Sequence, residues 1–91
     1  MTGKPLSKFK SDSSFAEPEA AARELLRIYR MKLADGAPHT YTGVTNSEFI
    51  YQSGGSVAEY GAGRDFGFQQ KWFRFDVSGT RVYLLPDCED A

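Results

Sequence analysis

The sequence predicts a small α+β domain, with one amphipathic helix over about 18–34 packed on a small antiparallel sheet that ends in a hairpin over about 69–77 and 80–86. Three observations predict it. Ala22, Leu25, Leu26, Tyr29 and Leu33 recur at the spacing of one helix face. Two runs rich in aromatic and β-branched residues, QKWFRFDV and TRVYLLP, flank Ser78-Gly79, the pattern of a tight hairpin. A chain of 91 residues with 41% hydrophobic and 14% aromatic content can build one core and no more.

Residues 1–14 read as a flexible lead-in, rich in Lys, Ser, Gly and Pro, with Leu6 and Phe9 the only large apolar side chains after Met1. Lys4, Lys8 and Lys10 make it locally basic. A single compact domain follows over 15–86, and 87–91 form a short acidic tail expected to fray.

The helix has start and stop signals of its own. Pro18 suits the first turn, and Glu17 and Glu19 suit its positive end. Gly36 is the expected stop, and Pro38 prevents continuation. The opposite face carries Arg23, Arg27 and Arg30 in one row. Such a row could grip phosphates. Glu19 and Glu24 stand four and three residues before Arg23 and Arg27, so a paired, solvated face is the simpler expectation.

Between residues 37 and 68 the signals conflict. Thr45-Asn46-Ser47-Glu48 has the capping-box pattern ahead of Phe49-Ile50-Tyr51 and Gly54-Gly55, which suggests a short helix. Phe49, Ile50 and Tyr51 are equally good strand residues, and a strand at Glu48–Gln52 added to the hairpin is the preferred expectation. Ser56-Val57-Ala58-Glu59 is a second capping-box match. Five glycines between Gly54 and Gly67 make this the least regular part of the chain. Gly61-x-Gly63 with Arg64 lacks the third glycine of a dinucleotide loop, where Phe66 stands. It reads as a tight connection into the hairpin.

The hairpin fixes its own register. With Val77 opposite Thr80, Asp76 faces Arg81, Phe75 faces Val82, Arg74 faces Tyr83, Phe73 faces Leu84 and Trp72 faces Leu85. One face is then Phe73, Phe75, Val77, Thr80, Val82 and Leu84, which is core. The other carries the Asp76/Arg81 ion pair, Arg74 against the Tyr83 ring, and Trp72. That second face is expected to be partly wet. A winged-helix-like arrangement is the alternative architecture, with both capping boxes starting helices and the hairpin as the wing.

Chemistry has little to build on. His39 is the sole histidine and Cys88 the sole cysteine, so no internal disulfide exists and no catalytic set is assembled. No metal site and no cofactor motif is legible. The formal charge is −1, which gives no global pull toward nucleic acid or an acidic membrane. No apolar run reaches membrane-spanning length, and the chain reads as cytoplasmic.

The expected function is a small non-catalytic binding protein whose partner is another protein. The candidate contact residues are Trp72, Arg74, Tyr83, Arg81 and Arg64, because Trp, Tyr and Arg dominate interface hot spots. The alternative is nucleic-acid binding through Arg23, Arg27 and Arg30 with the aromatic hairpin face.

Overall fold

Helix α1 (Pro18–Lys32) supplies half of the buried apolar side chains among the described residues. Proline occupies its first turn, and Gly36, at φ 90°, ends the chain's exit from it, with the Gly36 N–H on the Leu33 carbonyl. Ala21, Ala22, Leu25, Leu26, Ile28 and Tyr29 are all buried. The structure, a computed structural model, describes residues 14–91. Apart from Ser14, the lead-in expected over 1–14, with its three lysines, lies outside the described residues.

A two-residue strand β1 (Thr40–Tyr41) follows, then helix α2 (Thr42–Ser47), which runs on through a wide π turn at Glu48–Gln52. Helix α3 (Val57–Gln69), strand β2 (Phe73–Phe75), strand β3 (Arg81–Leu84) and a 3-10 turn at Pro86–Asp90 complete the chain. The sheet is antiparallel in the order β1-β3-β2. Three helices thus pack on a three-stranded sheet. Of the two capping boxes that the winged-helix-like alternative takes as helix starts, only the one at Ser56 starts a helix.

The hairpin register holds across β2 and β3, with Phe73 opposite Leu84, Arg74 opposite Tyr83 and Phe75 opposite Val82. Phe73 and Val82 are fully buried. The turn is wider than expected. The Gly79 N–H bonds the Asp76 carbonyl, and Gly79 has φ 76°. Val77 and Thr80 are therefore loop residues, and both are exposed rather than core.

Four other expectations are corrected. The third strand is Thr40–Tyr41, not Glu48–Gln52, which is helical. There the π turn places Phe49 inside while Tyr51 points out, a spacing no strand gives. The Thr45 capping box is unused, because the helix begins at Thr42 and the Thr45 hydroxyl bonds back to the Tyr41 and Thr42 carbonyls. The segment around Gly61, Gly63 and Gly67 is not a connection but helix α3, started by a real capping box between Ser56 and Glu59. A β-carbon on Gly63 would lie 2.7 Å from the Ala21 β-carbon, and one on Gly67 2.1 Å from the Phe73 ring. The glycines let α3 approach α1 and the sheet at backbone distance. Finally, the acidic end coils as the 3-10 turn, with Cys88 buried and its carbonyl accepting from Arg30.

Candidate partner-binding face

Strand alternation divides the sheet in two. Phe73, Phe75, Val82, Leu84 and Thr40 face the helices. Tyr41, Arg74, Arg81 and Tyr83 face away, and His39 precedes β1 on that same side. Tyr41 lies opposite Arg81, as Arg74 lies opposite Tyr83.

The outward side chains are held by one another. The Arg74 guanidinium sits 4.1 Å from the centre of the Tyr83 ring, a cation–π contact that fixes its plane while its N–H edges stay in water. His39 stands 5.5 Å from Tyr83 and 5.3 Å, edge-on, from Tyr41. Its Nε2 lies 3.4 Å from the Tyr41 hydroxyl. Half of Tyr41 remains exposed.

Asp76 belongs to the fold more than to the face. Its carboxylate accepts the N–H groups of Arg81 and Thr80, both at 3.0 Å, and the Ser78 hydroxyl at 2.8 Å. It also pairs with Arg81 at 3.3 Å. These bonds, the Arg81 amide first among them, hold its pKa below the usual carboxylate value.

Of the residues expected at the contact, Arg74, Tyr83 and Arg81 come together on this face. Trp72 does not, because the strand begins only at Phe73. Lys71 takes φ 63°, its N–H bonds the Phe68 carbonyl, and the Trp72 N–H bonds the Gly67 carbonyl. That left-handed turn closes α3 and breaks the alternation. Trp72 is 7% exposed, packed on Phe66 under the Arg23 guanidinium. The wet face expected to include it ends at Arg74.

Arg64 lies elsewhere too, on α3. It stands 3.3 Å from the neighbouring Asp65, and 5.8 Å over the Tyr60 ring. Together with Thr42, Gly43, Asn46, Tyr60, Phe75 and Gly79 it lines a groove of about 440 Å³ between α2, α3 and the hairpin turn.

The arginine row is committed to internal partners. Arg23 pairs with Glu19 at 2.8 Å, Arg27 with Glu24 at 2.6 Å, and Arg30 donates to the Cys88 carbonyl. The Arg27 bond, helped by the Ser53 hydroxyl and opposed by partial burial, lowers the Glu24 pKa. Of the six arginines in the sequence, Arg74 alone has neither an acid nor a carbonyl partner among the described residues.

Sequence reasoning missed His39 and Tyr41 as parts of this face. Their signal was the alternation His-Thr-Tyr-Thr after Pro38, with Thr40 turned inward. Among the described residues no helix is long and apolar enough to cross a membrane. No family model, curated protein or solved structure matches the chain.

Proposed function

We propose that this chain is a small non-catalytic interaction domain that meets a partner protein with the outer sheet face of His39, Tyr41, Arg74, Arg81 and Tyr83. The observation that carries the reading is Arg74, an ion with no counter-ion among the described residues, ordered on an aromatic ring beside two further rings. Ordered aromatic and arginine side chains lose little freedom on binding, which is why they anchor interfaces. A cytoplasmic setting goes with this reading, since a chain with one cysteine can form no internal disulfide.

Nucleic-acid binding has weaker support. The cations on the α1 row are already matched, and the exposed side of α3 offers Val57, Asp65 and Phe68 beside a single arginine. The face of Tyr83 that a base would stack on is covered by Arg74.

Affinity capture from the native host, using the wild-type chain and a Tyr41→Ala/Arg74→Glu double variant, tests the proposal. The expected result is a protein that survives nuclease treatment and is lost with the double variant. Capture of nucleic acid that falls steeply with salt, or capture unchanged by the double variant, contradicts it.

A further inference from the structure

We infer that the occupant of the outer sheet face is a short acidic peptide segment, its carboxylate on Arg74 and an apolar neighbour on the open half of the Tyr41 ring. The inference rests on the interaction-domain reading and adds the class of partner.

Charge points to the acid. Among the described residues the single carboxylate on this face, Asp76, is turned back onto the Arg81 and Thr80 amides and the Arg81 side chain. Arg81 is thereby compensated, and Arg74 is left with no acid among the described residues. An uncompensated guanidinium offers a planar fork of donors that matches a carboxylate. The Tyr83 ring beneath it holds that fork in place before any ligand arrives.

Size points to a peptide. Strands of two, three and four residues, at about 3.3 Å per residue and about 4.8 Å apart, span a face of roughly 140 Å². A stable dimer of folded domains buries about 800 Å² on each partner. A second copy of this chain seated on this face alone would fall far short of that. An extended segment of about four to six residues matches the span. Such a contact belongs to the weak, transient class.

The test is an NMR titration of the labelled full chain at moderate salt. Its probes are a short blocked peptide of aspartates and glutamates around one phenylalanine, the same peptide with asparagine and glutamine in their place, and an oligothymidine. The expected result is saturable shifts at Tyr41, Arg74 and Tyr83 with the acidic peptide alone, weakened about tenfold by Arg74→Glu. Arg74→Gln, which keeps the strand and removes the charge, should weaken it likewise and guards against an unfolded charge-reversal variant.

If the amide peptide binds this face equally well, the acidic class is wrong and the interaction-domain reading survives. If oligothymidine alone shifts this face, both are wrong. If no probe shifts it, or if the chain dimerises through it on dilution series, the peptide inference is overturned.

Discussion

Gly61 and Gly63 sit two residues apart on the same helix, and alanine should act on them with opposite sign. Alanine in place of glycine inside a helix gains about 1 kcal/mol. At Gly61 the new β-carbon meets nothing closer than an Arg64 nitrogen at 4.0 Å, so the whole gain is realised. At Gly63 the new atom lies 2.7, 2.8 and 2.9 Å from the Ala21 β-carbon, the Ala21 carbonyl carbon and the Ala22 nitrogen. Two of those are backbone atoms of α1 and cannot rotate away. The helices must part by about half an ångström, an overpacking cost of about 1–3 kcal/mol, with loosened contacts along the Ala21–Leu25 stripe added to it. The net is a loss of up to about 2 kcal/mol against a gain of about 1 kcal/mol at Gly61. In a domain of this size each kcal/mol moves Tm by about 4–8 °C. Thermal and urea unfolding followed by circular dichroism should therefore show Gly61→Ala above wild type and Gly63→Ala below it. Two stabilised variants would refute the close α1–α3 crossing, and two destabilised ones would refute the helix.

The buried position of Trp72 predicts that Trp72→Ala costs about 3–5 kcal/mol in chemical unfolding; a mild effect would return Trp72 to the surface. Lys71 holds a left-handed conformation that favours glycine, so Lys71→Gly should raise stability by about 0.5–1 kcal/mol after the added freedom of the unfolded chain is subtracted. Asp76 has a lowered folded-state pKa. Its contribution is thus fully present above the unfolded value, near pH 4, and fades as pH falls through the folded value. Asp76→Asn should then be less stable than wild type at neutral pH, with the gap closing on acidification; a gap independent of pH would mean the carboxylate charge is not what the turn uses.

The hairpin and α1 were legible because each is specified locally. Cross-strand pairs such as Asp76/Arg81 and Arg74/Tyr83 set one register, and the Leu25/Leu26/Tyr29 stripe sets one helix face. The middle of the chain was not, because its signals are tertiary. Gly63 and Gly67 look like loop residues until Ala21 and Phe73 are seen against them. Phe49-Ile50-Tyr51 looks like a strand until the helix begun at Thr42 carries through it. Trp72 was misassigned by extending the strand alternation one residue too far, across a turn that only the Lys71 backbone reveals. The hairpin register alone put Arg74, Arg81 and Tyr83 on one side of the sheet. His39 and Tyr41 were missed because their place depends on a two-residue strand pairing with β3 across about 40 residues.

The most direct test of the interaction-domain reading is photo-crosslinking in the native host from a photoactivatable aromatic residue at position 41, with the same residue at Val57 on α3 as the comparison. The proposal predicts a discrete protein adduct from position 41, resistant to nuclease and absent from position 57. Adducts from position 57 alone, or adducts from position 41 that nuclease removes, would contradict it.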